Sequence, residues 1–186
     1  MGWTYTTKEH GSVLDFFKKE FNHDGEKTSF RLLDGAVKNI REFYGVVERV
    51  NKLTGAIARY GIVCLLDWRK EDLYNFGYKD MDETCGPYYY GCPAKILALL
   101  EDYPPENEES AKWREKCREV AAKQAKVKSL KDGFKIKLET PLRFRDGLNR
   151  QKFTVNKKGR KVLFVGEDGV ACRIPDIKKR EFEIMS

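Results

Sequence analysis

Between Thr28 and Trp68 the chain carries three long runs, TSFRLLDGAVKN, REFYGVVERVN and TGAIARYGIVCLLDW, that are rich in β-branched and aromatic residues and punctuated by glycine. Such runs read as strands, and Asn51 to Gly55 between the last two reads as a hairpin loop. Ile62-Val63-Cys64-Leu65-Leu66 is apolar on both faces, as a central strand requires. The three runs therefore predict an antiparallel meander whose last strand is innermost.

The flanks of this sheet are mixed. An extended opening covers Trp3 to Thr7, Ser12 is placed to cap a helix over Val13 to Phe21, and Val13, Phe16, Phe17 and Phe21 recur at helical spacing. His23 to Glu26 reads as a turn. From Tyr74 to Pro93, YNFGYKDMDETCGPYYYGCP reads as an acidic, aromatic loop that separates the strand region from a helical one. Pro93 opens a helix over 94–100, which Tyr103-Pro104-Pro105 stops. A second helix over 107–126 has its acids early and its lysines late, as the helix dipole favours, and presents Trp113, Cys117, Val120 and Ala121 as its buried stripe. Glu108 with Lys112 and Glu119 with Lys123 are i,i+4 pairs, worth roughly 0.2–0.5 kcal/mol each.

The texture changes again at Lys128 to Gly133, KSLKDG. Beyond it, FKIKLE, KFTVN, KVLFVG, GVACRI and EFEIM alternate as short strands, with turns at Arg145 to Gly147, Asn156 to Gly159 and Gly166 to Gly169. The fold class is α+β. An antiparallel sheet with helices occupies 1–128, and a small SH3-like or OB-like β-barrel occupies 129–186. Charge divides at the same place. Lys and Arg number 21 against 21 Asp and Glu through Lys128, and 15 against 8 from Ser129 onward, so the whole excess of +7 lies in the tail. That asymmetry suits a polyanionic partner. On the barrel surface, Arg143, Arg145, Arg150, Lys152, Lys157, Lys158, Arg160, Lys161 and Arg173 would supply the charge. The first eight are the candidate nucleic-acid contacts, with Phe144, Phe153 and Phe164 interleaved.

No run of eighteen apolar residues and no signal-peptide pattern is present, which predicts a soluble cytoplasmic protein that does not engage the membrane. Five cysteines, Cys64, Cys85, Cys92, Cys117 and Cys172, lack framework spacing and read as free thiols in a reducing compartment. With only His10 and His23 available, Cys85 and Cys92 do not make a zinc set. Asp80, Asp82 and Glu83 are the candidate catalytic carboxylates, close enough together to hold Mg²⁺ in a nuclease. The same acids also suit a plain capping role. Tyr74, Tyr78, Tyr88, Tyr89 and Tyr90 could anchor a protein interface or stack on bases, or they could pack onto the sheet. There is no phosphate-cradling glycine loop, and no small-molecule cofactor is implied.

The opening Met1-Gly2-Trp3-Thr4, the run Asn75 to Thr84 (NFGYKDMDET), Gly86-Pro87, Cys92-Pro93, Ile96-Leu97 and Trp113-Arg114 together resemble a family of uncharacterised proteins carried by phages and plasmids of Gram-positive gut bacteria. The resemblance covers roughly residues 1 to 120. That setting is similar to the one in which anti-CRISPR proteins occur. It implies an anti-defence protein that binds a Cas9-type nuclease, its ribonucleoprotein or its guide RNA in the bacterial host. Two alternatives stand beside it: a Mg²⁺-dependent ribonuclease using Asp80, Asp82 and Glu83, and a non-enzymatic protein that binds RNA or DNA.

Overall fold

A computed structural model describes residues 4–6, 11–68, 76–159 and 161–185. It divides into two units, 1–121 and 122–186, with the division falling inside a long helix rather than at the predicted boundary after Lys128. A continuous helix carries no composition break at its middle, which is why the sequence places the change of texture later.

The first unit is the predicted meander, enlarged. Strands β3 (Thr28–Lys38), β4 (Glu42–Asn51), β5 (Ile57–Trp68) and β6 (Phe76–Asp82) run antiparallel, flanked by β1 (Thr4–Thr6) and β2 (His23–Asp24), in the order β1-β6-β5-β4-β3-β2. β5 is central, as its two apolar faces require. Two local expectations change. His23 and Asp24 are not turn residues but pair with Phe30 and Ser29 at the sheet edge. The stretch 74–93 is not a loop throughout, because its first half is β6, zipped to β5 from Phe76 opposite Trp68 to Asp82 opposite Ile62.

Each face of this sheet has its own core. On one, α1 (Val13–Phe21) lies across β3 to β6, with Phe16 and Phe17 buried against Phe43, Ile62, Cys64 and Tyr78. The Phe17 and Phe43 rings stand 4.4 Å apart. Its start is a reciprocal capping box: Asp15 N donates to Ser12 Oγ at 3.1 Å, and Ser12 N donates to Asp15 Oδ2 at 3.1 Å. On the opposite face, α2 (Ala94–Leu97), a 3₁₀ turn (Ala98–Leu100) and α3 (Glu108–Lys128) cover Tyr44, Val46 and Val63 with Ile96, Leu97, Leu100, Trp113 and Cys117. Gly61 on β5 makes this possible, since a Cβ there would sit 2.7 Å from the Trp113 ring. Asn107 caps α3 by accepting from Ser110 N at 2.8 Å. Glu108 pairs with Lys112 at 2.9 Å as predicted, whereas Lys123 pairs with Glu181 at 2.6 Å.

The second unit holds β7 (Lys135–Arg143), β8 (Asn149–Lys158), β9 (Lys161–Gly166), β10 (Ala171–Cys172) and β11 (Phe182–Met185), all antiparallel in the order β10-β9-β8-β7-β11. The sheet is open: β10 and β11 are its two edges, and no pairing among the described residues joins them. Ile136, Leu138, Phe153, Val155, Phe164 and Phe182 form the core on one face, with Leu130 and Ile174 closing it. β8 runs on through Lys158, past the turn expected from Asn156. The alternation in KFTVNKK continues the core face to Val155 and the solvent face to Lys158. Among the described residues, no helix is long and apolar enough to cross a membrane.

Candidate nucleic-acid interface

Residues opposite one another in an antiparallel pair share a face, so the register assigns every side chain of the second sheet. On β8, Phe153 and Val155 point into the core, which turns Lys152, Thr154, Asn156 and Lys158 outward. Opposite them lie Lys137 (to Lys152), Lys135 (to Thr154), Leu163 (to Asn156) and Lys161 (to Lys158). The open face therefore carries two lysine–lysine register pairs, Lys137 with Lys152 and Lys158 with Lys161. Like charges directly opposite each other disfavour the sheet.

Counter-charge does not cancel them evenly. Lys152 reaches Glu167 only at 3.8 Å, and Glu183 on β11 lies opposite Lys137. Both acids belong to the half of the face away from the β8–β9 hairpin. Towards the hairpin, Lys135, Lys158 and Lys161 are exposed and make no ion pair among the described residues. A groove of about 460 Å³, lined by Lys135, Lys152, Thr154, Val165, Glu167 and Met185, crosses the middle of the face.

The eight basic residues predicted as nucleic-acid contacts are thus split. Lys158 and Lys161 reach the open face at the hairpin, and Lys152 lies midway along it. Lys157 points to the other side, where its Nζ donates to the Leu130 carbonyl at 3.2 Å and its backbone N–H to Asp132 at 2.7 Å, bracing the hairpin. Arg143, Arg145 and Arg150 lie at the opposite end of the sheet. Arg150 is committed there: it bonds Asp146 at 2.6 Å, bonds Asp168, and stacks 4.6 Å over the Phe144 ring. Its hydrogen bonds hold both carboxyls below their ordinary value. Arg160 lies outside the described residues. Lys135 and Lys137 are the additions the sequence reading missed. The signal was present in F-K-I-K-L-E, where alternate lysines on a half-buried strand must share one face.

The carboxylates singled out for catalysis do not converge. Asp80 and Asp82 alternate onto the α1 face of β6, and Asp80 is exposed. Asp82 accepts Thr84 N at 2.8 Å and caps the 3₁₀ turn Glu83–Cys85. Glu83 is fully buried on the other side of the sheet, gripped in a fork by Arg114, Nε to Oε2 at 2.9 Å and Nη2 to Oε1 at 2.6 Å. Arg114 spends its remaining donors on the carbonyls of Leu100, Tyr103 and Arg59, so all five are used. Among the described residues, no cluster of three or more His, Cys, Asp or Glu is placed to hold a metal.

The tyrosines also disperse. Tyr74 lies outside the described residues, and Tyr78 is buried with its hydroxyl donating to Glu20 at 2.9 Å. Tyr90 lies beneath Lys116, whose ammonium is 5.0 Å from the ring centre. Tyr88 stands out at 88 % exposed and Tyr89 at 37 %, on a stretch pinned from behind. Trp113 Nε1 donates to the Tyr89 carbonyl at 3.0 Å, and Gly91 N donates to the Tyr44 hydroxyl at 3.0 Å. All five cysteines are free, and Cys85 is exposed while Cys92 is buried. Burial pushes the Cys92 and Cys117 thiols up, Cys117 to about 12, which leaves them unreactive.

Residues 104–177 match a family model described as a domain of unknown function (DUF6927). No curated protein and no solved structure matches the chain. The matched stretch overlaps the first 120 residues only over 104–120, and it contains all five lysines of the open face. The chain is in that respect similar to an uncharacterised family, with no activity attached to the match.

Proposed function

We propose that this protein binds nucleic acid without chemistry of its own, gripping phosphates with the open face of the second sheet. One observation carries the proposal: two lysine–lysine register pairs on a single solvent face. Their cost to the isolated fold is offset when a polyanion lies across them and releases its counterions. An SH3-like or OB-like wrap of this sheet belongs to the same proposal. Binding is favoured over hydrolysis because Glu83 is locked to Arg114 and Asp82 serves as a cap, leaving Asp80 alone among the three without a carboxylate partner among the described residues.

The test is the salt dependence of affinity for the full chain. With four or five phosphate contacts, affinity falls by about 10² to 10³ between 50 and 200 mM salt. A flat response removes the proposal. Within it, an anti-defence role against a Cas9-type effector takes its support from the resemblance of the front 120 residues. Purified Cas9 and guide, assayed with the protein in excess, decide that narrower form: unchanged DNA cleavage dismisses it and leaves phosphate binding standing.

A further inference from the structure

Resting on that proposal, we infer that the open face takes duplex nucleic acid by its phosphates alone, whatever the base sequence. The shape of the face points this way first. The segment 132–134 extends β7 along the edge of β8: Gly133 N donates to the Val155 carbonyl at 2.8 Å, Val155 N to the Phe134 carbonyl at 2.7 Å, and Lys157 N to the Asp132 carboxylate at 2.7 Å. On its other side β8 is paired with β9 from Phe153 opposite Gly166 to Lys158 opposite Lys161. Between Phe153 and Lys157, β8 is thus flanked on both edges, and its outer face presents side chains on a flat backbone rather than a strand or helix that could be inserted.

A flat face rests on the phosphates and leaves the bases out of range. The grooves of B-form DNA are about 7.5–8.5 Å deep, and the major groove is read by a helix or ribbon that enters it. Asn156 is the one amide on the rungs from Lys152 to Lys158; it is half-buried opposite Leu163 and extends too little from a flat backbone to reach base edges at that depth. With the Thr154 hydroxyl it suits phosphate oxygens instead. The charges on these rungs, Lys135, Lys137, Lys152, Lys158 and Lys161, are all lysines. An ammonium is a point charge, without the planar fork by which arginine holds a guanine. Arg150, next along β8, is already taken up by Asp146 and Asp168.

Proteins hold single strands on aromatic platforms, where the bases stack. Residues 122–186 contain five phenylalanines and no tyrosine or tryptophan. All five, Phe134, Phe144, Phe153, Phe164 and Phe182, pack into or against the core on the other face. The groove across the open face meets Val165 and Met185, and Phe153 borders it with its ring in the core. Without stacking, charge density decides. The salt exponent is about 0.9 per phosphate contact on a duplex and about 0.7 on a single strand, so with about four or five contacts, and the two forms equal at about 1 M salt, the duplex is favoured roughly ten- to twenty-fold at about 50 mM and about four-fold at about 200 mM. The acids beside the lysines, Asp132, Glu167 and Glu183, weaken both forms alike.

The deciding experiment measures fluorescence anisotropy of the full chain at about 50 mM salt with DNA probes of about 20 base pairs: an AT-rich, a GC-rich and a mixed duplex, the single strand of the mixed sequence, and that strand with half its bases removed to leave abasic sites. The three duplexes are expected to bind within about three-fold of one another, the intact single strand at least about five-fold more weakly than its duplex, and the abasic strand within about two-fold of the intact one. A wider spread among the duplexes, a smaller advantage over the single strand, or a larger loss on base removal each overturns the inference while leaving phosphate binding intact. Failure to bind any probe overturns both.

Discussion

The two units treat charge in opposite ways. In the first, a carboxylate drawn inside the fold is met by guanidinium. Glu83 and Arg114 are sealed together at almost no exposure, and Glu48 is held by Arg59 at 2.9 Å and Arg31 at 2.9 Å. Both faces of its sheet are covered. In the second unit one sheet face stays open, and lysines face lysines across the strands. On the proposed reading, the structural needs of the chain lie in the first unit and its binding needs in the second. The first unit should lose stability when the partner of a buried charge is removed, whereas the second can lose open-face lysines at little cost to itself.

The largest effect expected from that contrast is at Arg114. Arg114→Ala leaves the Glu83 carboxylate buried and unpaired, and three carbonyls without their donor. Breaking a buried pair in this way costs about 3–5 kcal/mol. Urea denaturation of the full chain at neutral pH measures it. A loss under about 1 kcal/mol would place this pair with ordinary surface pairs and erase the contrast between the units.

The second effect runs the other way. Replacing Lys158 and Lys161 together by alanine relieves a like-charge pair, so stability holds or rises, by roughly 0.2–1 kcal/mol. Affinity for nucleic acid falls at the same time, and the slope of log affinity against log salt becomes shallower by about two. Thermal melting and a salt titration on one preparation read both quantities. A variant that loses stability and keeps its affinity would show these lysines to be structural.

What could be foreseen here follows the range of the interactions. The Ser12 cap, the three strands of the meander and the alternation of the tail strands are local, written in neighbouring residues, and the structure contains them. The partner of Glu83 is 31 residues away on a helix whose buried stripe reads as Trp113, Cys117, Val120 and Ala121. Arg114 is next to that stripe, but a charged residue beside an apolar one reads as surface until its carboxylate is known. Register pairs fail to show for the same reason. Lys137 and Lys152 are each visible as strand residues, yet their meeting depends on which rung of β7 faces which rung of β8. The stretch 74–93 looked like a loop because glycine, aspartate and tyrosine mix there, and pairing with β5 overrides that weak local preference.

A smaller test lies at the end of the second sheet where charge is balanced after all. Asp146 and Asp168 have carboxyls lowered chiefly by side-chain hydrogen bonds from Arg150. A depressed carboxyl contributes stability that is complete above its unfolded value, near pH 4, and is lost as pH falls through the folded one. Arg150→Ala should therefore be less stable than the natural chain at pH 7, and the gap between them should narrow toward pH 2. Urea midpoints at the two pH values measure the gap. A gap that stays constant would mean that Arg150 acts through its packing on Phe144 alone.

The smallest effects concern the two aspartates of β6. Asp82 caps the turn that delivers Glu83 to Arg114, so Asp82→Ala should cost about 1 kcal/mol, the usual worth of such a cap. Asp80 is exposed and makes no ion pair among the described residues, and Asp80→Ala should stay within about 0.5 kcal/mol. This unequal pair distinguishes the architectural account from the nuclease alternative. Two carboxylates sharing a Mg²⁺ repel each other without it, so a metal site predicts that either substitution stabilises the metal-free protein and abolishes Mg²⁺-dependent RNA cleavage. If only Asp82→Ala weakens the fold and neither changes the length of an RNA incubated with Mg²⁺, the aspartates belong with the first unit's structural charges. If both stabilise it and cleavage disappears with either, the first unit holds a reactive centre, and the proposed assignment of binding to one unit and support to the other has to be given up.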